Sequence, residues 1–153
     1  MFEGFDRPED RPHTLSWLWT QFAAGFAVML PMIWLFGQWG LESLVVIPIL
    51  INVIGDGLAE PVGVRFGKYR YKTKALFTNK EYFRTFEGSA CVLITGFIVI
   101  AMHADYFTTT QYALAMLSVP IIMTLTEAYS PHTWDTPFLM FTGYASLILI
   151  MQF

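Results

Sequence analysis

The chain has 153 residues, of which 55% are hydrophobic and only 14% are charged, with a mean hydropathy of +0.49 and a formal net charge of −3. Soluble domains carry roughly a quarter charged residues, so this composition argues against an ordinary soluble domain and predicts a membrane protein. The single cysteine, Cys91, excludes an internal disulfide and a cysteine-based zinc site.

The apolar residues fall into long segments that predict an all-α, polytopic membrane protein with about five transmembrane helices. These segments cover 15–36, 41–60, 83–102, 111–127 and 136–151. A hydrocarbon core about 30 Å thick takes about 20 helical residues. An interfacial aromatic belt is indicated at the two ends of the first segment by Trp17, Trp19, Trp34 and Trp39. The preceding residues, 1–14, are polar and acidic, unlike a cleavable signal, so we expect the first segment to be retained.

Positive charge is concentrated around the connection between the second and third segments, and this concentration predicts the orientation. Seven of the nine Lys and Arg residues lie in or beside that connection, namely Arg65, Lys68, Arg70, Lys72, Lys74, Lys80 and Arg84. Because cytoplasmic loops are enriched in basic residues, we expect a cytoplasmic loop over 61–82, a cytoplasmic N-terminus and an external C-terminus. The whole chain, 1–153, is then one integral-membrane domain of a bacterial cell membrane or an organelle membrane.

Polar and ionisable residues from separate segments are predicted to meet at the cytoplasmic ends of the helices. These residues are Asn52, Asp56, Glu60, Arg84, Glu87, Glu127 and Asp135. The first three recur every four residues and would share one helix face, and Arg84 and Glu87 would share another. Charged groups at membrane depth are costly and by default suggest a functional site. Acids beside bases suit a nucleotide with Mg²⁺, since carboxylates bind the metal and basic groups neutralise phosphate charge.

Structural explanations for single residues stay open beside this functional one. Asp135 has the position of a helix N-cap, and Glu60, before Pro61, has that of a helix end in water. His132 lies near the acids, although an ordinary loop position explains it as well. The stretch "GVRFGKY", 63–69, is not a Walker A loop, because its glycine spacing is one residue short and Tyr69 replaces the Ser or Thr.

Three stretches, "GDGLAEPVGVRFGKYRY", "RTFEGSA" and "TEAYSPHTWDTPF", occur in this order over about residues 52–140. They resemble the linked motifs of the CTP-dependent lipid-alcohol kinases, the phytol and dolichol kinase group, which is related to the phosphatidate cytidylyltransferases. The resemblance implies a multi-pass membrane enzyme that uses CTP with Mg²⁺ on a lipid substrate. Three features depart from the family pattern: Arg84 replaces a lysine, Asp135 is followed by Thr-Pro rather than an asparagine-containing run, and the extra N-terminal spans of relatives are missing.

The residues and the resemblance together predict three groups of site residues. The catalytic group is Asp56, Arg84, Glu87, Glu127 and Asp135. The nucleotide-binding group is Asn52, Gly63, Gly67, Lys68, Lys74 and Ser89. The metal group, for Mg²⁺, is Asp56, Glu60 and Glu87.

The expected reaction transfers a phosphoryl group from CTP to a prenyl-type lipid alcohol such as phytol, farnesol or a polyprenol. Either Asp135 or Glu127 would accept the hydroxyl proton. The expected partners are the alcohol, the nucleotide and membrane lipids, with no nucleic acid, and a homodimer is one possible assembly. Without the N-terminal spans of relatives, three explanations stay open: a minimal catalytic core, a second subunit that completes the groove, or a loss of activity. Two alternatives remain: a cytidylyltransferase that makes a CDP-lipid, and a non-enzymatic scaffold or cation-binding bundle.

Overall fold

The computed structural model describes residues 13–76 and 81–153, and these ranges are mostly helical. The helices are α1 (Thr14–Gln38), α2 (Glu42–Phe66), α3 (Phe86–Met102), α4 (Thr109–Tyr129) and α5 (Asp135–Ile150). Two short antiparallel strands, β1 (Arg70–Lys74) and β2 (Glu81–Thr85), form a hairpin between α2 and α3. The mostly helical fold agrees with the prediction. The predicted loop over 61–82 is wrong in two respects, because α2 continues to Phe66 and the basic stretch pairs as strands.

Among residues 13–76 and 81–153, three helices, α1, α2 and α4, are long and apolar enough to cross a membrane. Helices α3 and α5 are also apolar but have only 17 and 16 residues. The predicted third segment begins too early, since 83–85 belongs to β2 and the helix starts at Phe86. Long apolar helices are therefore confirmed, whereas the count of five spans stays a prediction. Lys80 and the N-terminal residues 1–12 lie outside the described residues.

Contacts between helices show which of their ends lie together. Near the start of α1, the side-chain amide of Gln21 donates to the Thr136 hydroxyl at the start of α5, at 3.1 Å. Near the end of α1, the Phe36 ring meets the Tyr144 ring of α5 edge-on, with centroids 5.4 Å apart. Helices α1 and α5 thus run parallel. Their first residues lie at the same end of the bundle as the hairpin, which we call the hairpin end.

The hairpin is fixed to the connection between α4 and α5. The main-chain N–H of His132 donates to the Lys74 carbonyl at 2.8 Å, and the Thr73 hydroxyl donates to the Ser130 carbonyl at 3.2 Å. The His132 ring also stacks on Tyr82, with centroids 3.9 Å apart. These contacts hold the hairpin against the α4–α5 connection, and His132 has a structural role in them.

Glycines allow α2, α3 and α4 to pack closely. A Cβ built on Gly55 of α2 would lie 2.9 Å from the Val92 Cα of α3, and one built on Gly96 of α3 would lie 2.9 Å from the Pro120 Cα of α4. Small residues at helix contacts permit such approach and are favoured in membrane bundles. The buried core is aliphatic around these contacts and includes Ile47, Ile51, Val92, Val99, Val119, Met123 and Leu139.

We expect Gly55→Ala to lower the free energy of unfolding by about 1–3 kcal/mol, because the added methyl group forces the α3 backbone away. Gly57 lies two residues further along α2, and no atom lies within 4 Å of a Cβ built there. Gly57→Ala is therefore the matched control, with no loss or a gain of up to about 1 kcal/mol from helix propensity. Equilibrium unfolding of both variants in detergent micelles measures the difference. Equal shifts would show that the α2–α3 contact does not limit packing.

Candidate functional site

The hairpin places Arg84 against the bundle. In the antiparallel register, Arg84 of β2 lies opposite Tyr71 of β1. Since side chains alternate along a strand, Tyr71 and Thr73 turn inward while Lys72 between them is exposed. The prediction that Arg84 shares a helix face with Glu87 is wrong. The strand ends at Thr85, whose hydroxyl caps α3 by accepting the Gly88 N–H at 3.1 Å, so Arg84 is on β2 and Glu87 is in the first turn of α3.

Arg84 bridges two carboxylates from the α4–α5 region. Its Nη1 donates to Oε1 of Glu127 at 2.7 Å and also to the Glu127 main-chain carbonyl, and its Nη2 donates to Oδ2 of Asp135 at 3.0 Å. The side chains of Arg84, Glu127 and Asp135 are only 11%, 5% and 16% exposed. The planar fork of a guanidinium suits this double role, which a lysine cannot fill in the same way. The predicted convergence of these three residues is confirmed.

Two hydroxyl groups extend this ion-pair network into the bundle. Ser89 Oγ donates to the second carboxylate oxygen of Glu127, Oε2, at 2.7 Å, and Tyr71 lies with its hydroxyl 2.7 Å from Ser89 Oγ. Because the one hydroxyl proton of Ser89 goes to Glu127, the Tyr71 hydroxyl donates to Ser89. Burial raises the pKa of Tyr71, which keeps the phenol protonated for that role. We call Tyr71, Arg84, Ser89, Glu127 and Asp135 the Arg84 network.

Sequence reasoning missed Tyr71. The signal was present in "RYKTK", where uncharged residues alternate with basic ones as in a half-buried strand. The basic residues of this stretch also predict a cytoplasmic loop, and that prediction leaves out the alternation of uncharged and basic side chains.

The carboxylates around Arg84 raise the pKa of its guanidinium. Burial by itself lowers the pKa of Arg84, but Asp135, Glu127 and, more weakly, Asp56 raise it, and the pKa ends above its ordinary value. Asp56 of α2 is therefore close enough to act on the guanidinium. Three carboxylates around one guanidinium give the region a surplus of negative charge when all are ionised.

The second helix changes its geometry where it approaches this network. Residues Ile51–Asp56 form a π-helical turn, a feature that is frequent at functional sites. Asn52 is buried and Asp56 half-buried, whereas Glu60, in the α-helical stretch that follows the π turn, is exposed. The shared face of these three residues stays a prediction. The helix-end interpretation of Glu60 is wrong, because α2 runs on through Pro61.

Glu87 lies beside the start of the hairpin rather than in the network. Its Oε1 accepts the main-chain N–H of Lys68 at 2.9 Å, while the Lys68 side chain is exposed. Gly63 and Gly67 pack on Thr85, and a Cβ built on Gly63 would lie 2.6 Å from its hydroxyl. The predicted glycine–lysine segment is therefore held against the start of α3, close to Glu87.

Two further predicted site residues, Lys74 and Asp135, make specific contacts at the hairpin end. Lys74 contributes its carbonyl to the α4–α5 connection and exposes its side chain. Asp135 is the first residue of α5, one position after the N-cap Trp134, so the N-cap prediction is wrong by one residue. Its Oδ1 nevertheless accepts the Thr136 N–H at 3.0 Å, while Oδ2 binds Arg84.

Asn52 and the three predicted Mg²⁺ ligands are the last of the predicted site residues. Asn52 is 8% exposed, and its side-chain oxygen, Oδ1, has no hydrogen-bond partner within the described residues. Across 13–76 and 81–153, no three His, Cys, Asp or Glu side chains are grouped as metal ligands. The Mg²⁺ group Asp56, Glu60 and Glu87 accordingly stays a prediction.

Comparisons with protein-family models, curated proteins and solved structures find no match for this chain. The functional assignment therefore depends on the chemistry of the site and on the motifs that supply its residues. Chemically, the network offers fixed carboxylates, a fixed guanidinium and a partly exposed acid, Asp135, at the end of an apolar bundle. Such an arrangement suits the orientation of a polar group that is attached to an apolar molecule.

Proposed function

We propose that this protein is a membrane-embedded transferase that moves a phosphoryl group from CTP, with Mg²⁺, to a prenyl-type lipid alcohol. One observation carries the proposal. Arg84, from "RTFEGSA", bonds Glu127 and Asp135, from "TEAYSPHTWDTPF", while Asp56, from "GDGLAEPVGVRFGKYRY", acts on the same guanidinium. Residues of all three motifs thus contribute to one polar region, as a shared reaction site requires.

The charge of this region supports the need for a divalent cation. A free triphosphate is repelled by the carboxylates around Arg84, and binding of Mg²⁺ weakens this repulsion because it removes part of the negative charge of the nucleotide. Asp56 and Glu87 carry oxygen ligands of the kind that Mg²⁺ prefers and would hold the ion, which would supply positive charge to neutralise the phosphates. Exposed basic side chains on the hairpin and just before it, on Lys68, Arg70 and Lys74, create a positive potential that attracts the nucleotide from a cytoplasmic hairpin end.

Asp135 is the better proton acceptor of the two candidate acids. Both carboxylate oxygens of Glu127 already accept hydrogen bonds, from Arg84 and Ser89, and its side chain is only 5% exposed. The Asp135 side chain is more exposed, at 16%, and its Oδ1 accepts a hydrogen bond from the neighbouring Thr136 N–H, whereas Oδ2 is bound to the Arg84 guanidinium. A general base must come within hydrogen-bond reach of the proton that it takes. Glu127 then serves to position Arg84.

Product analysis tests this proposal directly. Purified protein in nanodiscs is incubated with CTP, Mg²⁺ and farnesol, phytol or a polyprenol, and we expect CDP and the alcohol monophosphate, both lost on chelation of Mg²⁺. Asp105→Asn changes an acid in the turn at Ala104–Tyr106, after α3 and away from the hairpin end, and serves as a control that keeps activity. Release of pyrophosphate with a CDP-lipid would identify a cytidylyltransferase instead. Cation flux without turnover of any nucleotide would identify a non-enzymatic bundle.

A further inference from the structure

A cleft of about 210 Å³ lies between α1 and α5. Its walls are entirely apolar and consist of Val28 on α1 with Trp134, Pro137, Phe138 and Phe141 around the first turns of α5. Phe138 and Phe141 are 43% and 54% exposed, so the cleft opens on the outer side of the bundle. In a membrane this side faces hydrocarbon, and a dry apolar cleft there is suited to a hydrocarbon chain.

One wall of the cleft is adjacent in sequence to the Arg84 network. Trp134 lines it and directly precedes Asp135, whose Oδ2 lies 3.0 Å from Nη2 of Arg84. Towards the hairpin end, the contact between α1 and α5 is polar, through the hydrogen bond from Gln21 to Thr136. A chain lying in the cleft therefore has apolar surroundings along its length and a carboxylate next to its end.

We propose that this cleft binds the isoprenoid units nearest the hydroxyl of the lipid alcohol and directs that hydroxyl to Asp135. The proposal rests on the proposed function and assigns the lipid subsite within it. An apolar cavity of about 150 Å³ holds a benzene ring, so the cleft holds roughly one or two five-carbon units, with the rest of the chain in the bilayer.

The charge next to the cleft selects the kind of lipid. The guanidinium of Arg84 is already paired with Glu127 and Asp135, so the cation nearest the cleft is not available to the phosphate of a phospholipid. A neutral hydroxyl can instead donate a hydrogen bond to Asp135. The site thus favours an alcohol over the anionic and zwitterionic phosphate lipids that surround it in the membrane.

Photolabelling without nucleotide tests the subsite. A farnesol analogue with a diazirine on its first isoprenoid unit is added to the full chain in nanodiscs, and the labelled residues are mapped by mass spectrometry. We expect label at Val28 and within 134–141, displaced by unlabelled farnesol. Val28→Trp fills the cleft and is expected to reduce this label by about tenfold or more, as steric mismatch in a small apolar site does. Leu30→Trp, at a residue of α1 that is 58% exposed, is the matched control and keeps the label.

Three results would overturn the subsite: label confined to other segments, label unchanged in Val28→Trp, or equal labelling of the cleft by a diazirine phosphatidylglycerol. If Val28→Trp does not fold, Val28→Phe adds a smaller ring to the same wall and provides the same comparison. Turnover of CTP without label in the cleft refutes the subsite alone. Specific label without turnover refutes the kinase and leaves an alcohol-binding cleft.

Discussion

Arg84→Gln is expected to lower the free energy of unfolding by about 3–5 kcal/mol, the usual cost of removing one partner from a buried ion pair. The substitution leaves Glu127 and Asp135 without their cation, although their side chains are only 5% and 16% exposed. It also removes the donor to the Glu127 main-chain carbonyl. Equilibrium unfolding in mixed micelles, followed by tryptophan fluorescence, measures the loss.

An exposed ion pair on the same hairpin provides the control. Lys72 Nζ lies 2.7 Å from Oε1 of Glu81, with the two side chains 66% and 63% exposed. Lys72→Gln is expected to cost at most about 1 kcal/mol, since water and salt screen such pairs. Arg84→Lys keeps the charge but cannot bridge both carboxylates, so its loss should lie between the two. Equal losses in Arg84→Gln and Lys72→Gln would show that the Arg84 network does not hold the hairpin to the bundle.

Hydropathy was sufficient to predict the long helices, because burial in hydrocarbon demands uninterrupted apolar residues. It was not sufficient for the hairpin. The pairing of β1 with β2 is supported by contacts that are remote in sequence, such as Thr73 with Ser130 and Tyr82 with His132. In a single sequence the same residues resemble a charged loop. Their alternation favours a strand only when one face of that strand packs against another part of the protein, here the α4–α5 connection.

The meeting of Arg84 with Glu127 and Asp135 could be predicted, since all three lie at the ends of apolar segments. The detailed geometry of the site could not be predicted. The equal spacing of Asn52, Asp56 and Glu60 reveals neither that the first is buried and the last exposed, nor that Ile51–Asp56 forms a π turn. That turn coincides with the close approach of Gly55 to Val92, a contact between helices that local sequence cannot reveal. The bridging role of Arg84 likewise depends on a strand that was predicted as helix.

Asp56→Asn is expected to cause the largest loss of turnover, about 10²–10³-fold in kcat, the usual scale for removing one fixed electrostatic contact. The amide keeps the shape of the side chain but removes a negative charge that acts on Arg84. Asp56 is also the last residue of the π turn and only half-buried, so its carboxylate is not fully shielded from a bound cation. A colorimetric assay of CDP release measures the loss, alongside the unfolding free energy of the variant.

The Mg²⁺ dependence of that variant separates a ligand from a structural residue. If Asp56 binds the metal, Asp56→Asn needs a higher Mg²⁺ concentration for half-maximal turnover, and excess Mg²⁺ restores part of the rate while stability stays unchanged. Glu60→Gln is the matched control one turn along α2, where the exposed side chain predicts nearly normal turnover. Unimpaired Asp56→Asn would remove Asp56 from the site. A loss of the same size in Glu60→Gln would show that the exposed Glu60 contributes to turnover as much as Asp56 does, against the separate role assigned to Asp56.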